Sequence, residues 1–113
     1  SIAGVEALGA PVDYSTAKAA LNAFAKNLSR KVAPDVRVNV IAPGNVFFPG
    51  GNWDKKMEKD EKTVKAMIKN AVPMQRFGYP EEIADAAAFL CSKSAAFITG
   101  AILQVDGGQT VSL

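Results

Sequence analysis

The chain has 113 residues, 49% apolar and 21% charged, an ordinary balance for a soluble globular domain. Its formal net charge is +2, with lysines and arginines scattered, so the composition carries no electrostatic footprint for nucleic acid or an anionic membrane. A single cysteine, Cys91, excludes an internal disulfide and fits a reducing compartment, and the lack of histidine excludes His-based triads and His metal sites within these residues.

The sequence starts with Ser1 rather than Met, and Ser1-Ile2-Ala3-Gly4 reads like the end of a strand turning into a loop. We therefore expect a piece of a longer protein. The first residues lack the basic and long apolar regions of a signal peptide, and no apolar run approaches the ~20 residues that span a bilayer. Residues 3–12 contain Gly4, Gly9 and Pro11 and read as a loop. From about 12 to 33 the apolar positions Ala17, Leu21, Phe24, Ala25, Leu28 and Val32 recur at helical spacing, and Pro34 stops the helix. Val36 to Ala42 is a near-continuous β-branched run, the mark of a parallel strand buried on both faces. Asn39 interrupts it. A polar group there must find partners, and we read it as structural.

Pro43-Gly44 ends this strand, and the three glycines and Pro49 of residues 44–52 form a loop. Residues 53–71 read as a helix carrying Trp53, Met57, Val64, Met67, Ile68 and Ala71. Lys55, Lys56, Lys59, Lys62, Lys65 and Lys69, interleaved with acids, read as its solvated face. After Pro73 and Gly78, Pro80-Glu81-Glu82 opens another helix, with acids in its first turn and a stripe of Ile83, Ala87 and Leu90. Cys91 lies beside that stripe and reads as a small buried residue. A Ser94–Phe97 turn leads to a last strand, Ala101 to Val105, and then to the turn Asp106-Gly107-Gly108.

Strand stub, helix, strand, helices, strand is the order of βαβ units on a parallel sheet, here part of a doubly wound, Rossmann-like α/β fold. Ligands of such sheets bind outside the carboxyl ends of the strands. Ser1, Pro43-Gly44 and the start of the first helix all belong to that edge. On that helix, Tyr14-Ser-Thr-Ala-Lys18 puts a phenol and an ammonium one turn apart on one face. A phenol alone is a poor acid–base group at neutral pH, and a nearby cation favours the phenolate. The pair is thus a proton-transfer device if the surroundings support it.

The surroundings resemble a known family. Ser1 followed thirteen positions later by Tyr14 and then Lys18 resembles the catalytic Ser–Tyr–x–x–x–Lys constellation of the short-chain dehydrogenase/reductases. The likeness continues through Val36-Arg37-Val38-Asn39-Val40-Ile41-Ala42-Pro43-Gly44 and Arg76-Phe77-Gly78-Tyr79-Pro80-Glu81-Glu82-Ile83-Ala84. It ends at Ile98-Thr99-Gly100 with Val105-Asp106-Gly107-Gly108. Essentially the whole chain is covered.

The resemblance implies an NAD- or NADP-dependent enzyme that moves a hydride to or from an alcohol or ketone, with a sugar or an acyl thioester as alternative substrates. Tyr14 would donate or take the substrate's proton. Lys18 would favour the phenolate and hold the nicotinamide ribose, and Ser1 would stabilise the substrate oxygen. Pro43, Gly44 and Val46 match positions whose backbone lies along the nicotinamide. Residues 1–113 would be the C-terminal half of one NAD(P)-binding domain, with about 44–79 as its substrate lid and the other half as its partner. The parent would be a cytoplasmic homodimer or homotetramer acting on a small molecule, without nucleic acid or membrane. The Gly-rich turn for the pyrophosphate is not in this stretch. Phe48 stands where the family commonly has a Thr that helps hold the cofactor. A non-catalytic scaffold that kept the fold is the reading from another class.

Overall fold

The computed structural model describes residues 1–112. After a short 3-10 turn at Ile2–Gly4 come α1 (Val12–Val32), β1 (Val40–Pro43), α2 (Asn52–Ala71), α3 (Pro80–Cys91) and β2 (Ile102–Val105). The two strands pair in parallel, with Val40 opposite Ile102 and Pro43 opposite Val105. A parallel pair needs a crossover, and α2 and α3 supply it. No described helix is long and apolar enough to cross a membrane.

Helix α1 follows from its alanine-rich sequence and ends where Pro34 forces Ala33 into extended backbone. Its bulky apolar residues are not the ones it buries. Asn22, Ala25 and Ser29 are buried, while Leu21 and Phe24 remain 50% and 62% exposed. The helix lies against the Ile2–Gly4 turn and against Gly100, where only small and short polar side chains fit, so the bulky stripe faces outward.

The expected strand at Val36–Ala42 shortens to Val40–Pro43, and it is buried on both faces only at Ala42. The reason lies in its partner. Gly100 takes a positive φ of 70°, so the chain before Ala101 turns out of ladder geometry. Side chains replace the missing rungs. Thr99 Oγ1 accepts the Val38 N–H at 3.1 Å, and Arg37 donates to the Ile98 carbonyl. The Asn39 amide donates to Ile98 O at 2.9 Å and its oxygen accepts the Ala101 N–H at 3.0 Å. Asn39 is structural, as expected.

Two further departures concern the second half. Helix α2 breaks at Asp60, whose φ of −156° is not helical. Asp60 Oδ1 accepts the Thr63 N–H at 3.0 Å, the geometry of an N-cap that starts a second helical segment. That segment buries Val64 and Ile68 and leaves the six lysines of α2 exposed. Cys91, expected inside, is exposed, because it follows the buried Leu90 at the last turn of α3 and projects beside β1.

Candidate active site

The carboxyl end of β1 and the start of α1 meet at one cleft of about 960 Å³. All six positions singled out from the sequence line it: Ser1, Tyr14, Lys18, Pro43, Gly44 and Val46. Tyr14 and Lys18 share one face of α1, with Lys18 Nζ 5.4 Å from the centre of the Tyr14 ring. Ser1 caps the Ile2–Gly4 turn, its Oγ accepting the Ala3 N–H at 3.2 Å. Lys18 carries the one charged side chain on the wall among the described residues. The cleft therefore gathers a hydroxyl, a phenol and an ammonium over a largely apolar floor.

The floor is held from beneath. Gly44 donates to the Val105 carbonyl at 3.0 Å, and the Asn45 amide donates to Gln109 Oε1 at 2.7 Å. Asp106 gathers the turn after β2, accepting from Gly108 N, Thr110 N and Thr110 Oγ1 at 2.7–2.9 Å. Burial raises the Asp106 pKa, but these donors outweigh it and hold the carboxyl below its ordinary value. Glu6 reaches from the first loop to accept the N–H groups of Val111 and Ser112.

The opposite wall comes from the loop and helices that follow β1. Phe48-Pro49-Gly50-Gly51 forms a tight turn with Gly51 N donating to Phe48 O at 3.1 Å and Gly50 at a φ of 77°. Proline second and glycine third are what that turn requires. It folds the Phe48 ring onto Gly51, where an added Cβ would lie 2.9 Å from the ring. Phe48, Trp53 and Asn52 face the cleft from this side. Trp53 is braced by Phe77 at 5.4 Å between ring centres and covered by Lys56 Nζ at 4.3 Å.

The loop is latched to the segment before α3. Phe47 N donates to Gly78 O and Gly78 N to Asn45 O, each at 2.9 Å. Arg76 grips Glu82 with two bonds of 2.8 and 2.6 Å, and Glu82 also accepts the Tyr79 N–H at 2.9 Å. The Arg76 guanidinium holds the Glu82 carboxyl down at about 2. Pro80 and Ile83 are thereby turned into the cleft. Sequence reasoning missed these two as wall residues. The signal was there in Pro80 opening a helix two residues after Gly78, which the structure pairs with Val46.

A cofactor's nicotinamide end fits this arrangement. Pro43, Gly44 and Val46 offer a flat apolar edge, and Lys18 and Tyr14 offer polar atoms across it. A cleft at the carboxyl end of a parallel strand, bordered by a helix that starts beside it, defines the class of open, nucleotide-binding α/β folds. Comparison with known proteins narrows the class. A family model described as enoyl-(acyl carrier protein) reductase matches residues 1–110. A 3-oxoacyl-(acyl-carrier-protein) reductase of Aquifex aeolicus is 39% identical over 110 residues, covering 96% of this chain and 42% of the relative. Glucose 1-dehydrogenase 2 of Bacillus subtilis is 42% identical over 101 residues, covering 88% of this chain and 37% of the relative. The crystal structure of L-sorbose reductase from Gluconobacter frateurii, complexed with NADPH and L-sorbose, superimposes with a TM-score of 0.90 at 35% identity. It covers 100% of this chain and 46% of its own. The chain belongs to the short-chain dehydrogenase/reductase family, and its fold is the Rossmann fold of that family. It spans about two-fifths of the length of the curated relatives it matches.

Proposed function

We propose that these residues are the C-terminal half of an NAD(P)-dependent oxidoreductase that interconverts an alcohol and a ketone. The observation that carries the reading is the single cleft shared by Ser1, Tyr14 and Lys18. Bound NAD(H) or NADP(H) supplies or accepts the hydride. Pro43, Gly44 and Val46 would carry its nicotinamide, and the remaining half of the domain its pyrophosphate. Tyr14 gives its phenolic proton to the substrate oxygen during reduction and takes it back during oxidation. Lys18, whose Nζ lies 5.4 Å from the centre of the Tyr14 ring, would hold a ribose hydroxyl of the cofactor. Ser1 Oγ holds the substrate oxygen as charge develops there.

Sugar and 3-oxoacyl thioester substrates are supported by the relatives that act on glucose, L-sorbose and an acyl carrier protein. The segment 44–79 is the substrate lid in this reading, with Phe48 and Trp53 as its inner face. We further propose a cytoplasmic homodimer or homotetramer. The outward apolar stripe of α1, Leu21 and Phe24 above all, supports an interface, and one exposed thiol at Cys91 suits a reducing compartment. The test is NAD(P)H absorbance on the full-length protein with ketones, sugars and a 3-oxoacyl thioester. No oxidation of NADH or NADPH with any of them would overturn the reading.

A further inference from the structure

Tyr14, Lys18, Asn22 and Lys26 recur every four residues along one face of α1. The first two reach the cleft. The second two clasp backbone. Asn22 Nδ2 donates to the Gly4 carbonyl at 3.0 Å, and Lys26 Nζ donates to the Gly100 carbonyl at 2.9 Å. Both carbonyls belong to glycines pressed against the helix. A Cβ on Gly4 would lie 2.6 Å from the carbonyl carbon of Lys18, and one on Gly100 would lie 2.6 Å from Ser29 Oγ. The helix is therefore seated at two points, each a glycine contact locked by a side chain from the same helix face.

The two seats differ in what they connect. Gly100 leads into β2, away from the cleft. Gly4 closes the short turn that starts at Ser1, with Gly4 N donating to Ser1 O at 3.1 Å. Only Ile2 and Ala3 separate Ser1 from Gly4, whose carbonyl Asn22 holds. Asn22 is 8% exposed, and its amide is the side-chain bond that ties this turn to the helix carrying Tyr14 and Lys18. Without the clasp, only packing holds the turn against α1, and any shift of the turn carries the Ser1 hydroxyl with it.

We propose that Asn22 is a positioning residue that sets the distance of the Ser1 hydroxyl from Tyr14 and Lys18. It rests on the oxidoreductase reading and touches neither substrate nor cofactor. A displacement of ~1 Å in a catalytic group can cost ~100-fold in rate, so the signature is a loss in kcat rather than in cofactor binding.

The experiment uses the full-length protein. Asn22→Asp keeps the shape and removes the donor, Asn22→Ser shortens the side chain, and Lys26→Met removes the other clasp as a control. For Asn22→Asp, kcat is expected to fall roughly 10- to 100-fold, with the Kd for NAD(P)H, read by nucleotide fluorescence, within about threefold. Lys26→Met should lower Tm and leave kcat within about twofold. In a Ser1→Ala background, Asn22→Asp should cost almost nothing more in kcat, because both changes remove the same contact. Asn22 variants with parental kcat, or losses that multiply with Ser1→Ala, overturn the proposal. So does failure of both Asn22 variants to fold while Lys26→Met folds, since Asn22 is then a stability residue only. If turnover survives Tyr14→Phe unchanged, or the parent has none, the oxidoreductase reading fails and takes this inference with it.

Discussion

A Cβ added to Gly44 would lie 2.8 Å from both Cα and Cβ of Asp106. The end of β1 and the turn after β2 thus touch backbone to backbone directly under the cleft floor. This contact makes the floor a rigid piece: Asp106 fixes its own turn through Gly108 and Thr110, and Gly44 rests on Asp106. Gly44→Ala is expected to destabilise the full-length protein by about 1–3 kcal/mol, the usual cost of overpacking. Urea unfolding measures it. It should also weaken NAD(P)H binding, because the residue that must move is a floor residue.

Asn39 gives a second stability prediction. Its amide bonds both Ile98 O and Ala101 N, two groups left over where the ladder stops. Asn39→Leu matches its size and leaves both backbone groups without that partner. The expected cost is about 1–3 kcal/mol. An urea midpoint equal to the parent's would show that water satisfies these groups equally well.

The Arg76–Glu82 latch makes the fold sensitive to acid. Glu82 sits at about 2 in the folded chain against an ordinary 4.5, so the unfolded chain binds more protons through the interval between. The stability this group contributes is complete above about pH 4.5 and is lost as pH falls towards 2. Glu6, Asp60 and Asp106 are also held below their ordinary values and add in the same direction. The urea midpoint should fall steeply below about pH 4.5 and more gently in Glu82→Gln. Equal slopes for the two proteins would mean the latch carries no linkage.

Phe48 lines the cleft where the family resemblance implied a threonine hydroxyl. Its ring rests on Gly51 and lines the cleft beside Trp53. Phe48→Ala opens an apolar wall, and KM for a bulky apolar ketone should rise roughly 10-fold or more while that for a small polar ketone changes little. Equal changes for both would place Phe48 in cofactor or lid packing rather than in substrate selection.

Much of this was legible in the residues themselves. Helix α1 announced itself by its apolar spacing and its end by Pro34. Asn39 inside a β-branched run announced a polar partner, and Ser1, Tyr14, Lys18 and Pro43-Gly44 announced one edge of a sheet. The failures share a cause. Cys91 was read as a small buried residue and is exposed, and the spacing of Leu21 and Phe24 marked a helix face without saying what covers it. The break at Asp60 was written in Asp60-Glu61-Lys62-Thr63, an N-cap pattern hidden inside a continuous run of good helix formers. The seats of α1 on Gly4 and Gly100 depend on contacts 14 and more residues apart, which no local pattern reveals.

The central claim is that Tyr14 moves the substrate proton in the cleft it shares with Ser1 and Lys18. The direct measurement is kcat of the full-length protein and its Tyr14→Phe variant, followed by NAD(P)H absorbance on whichever ketone or alcohol the parent turns over. Phenylalanine keeps the ring and removes the proton. A loss of roughly 100- to 10,000-fold in kcat, with NAD(P)H binding little changed, is the expected result. A Tyr14→Phe enzyme with parental kcat would contradict the account.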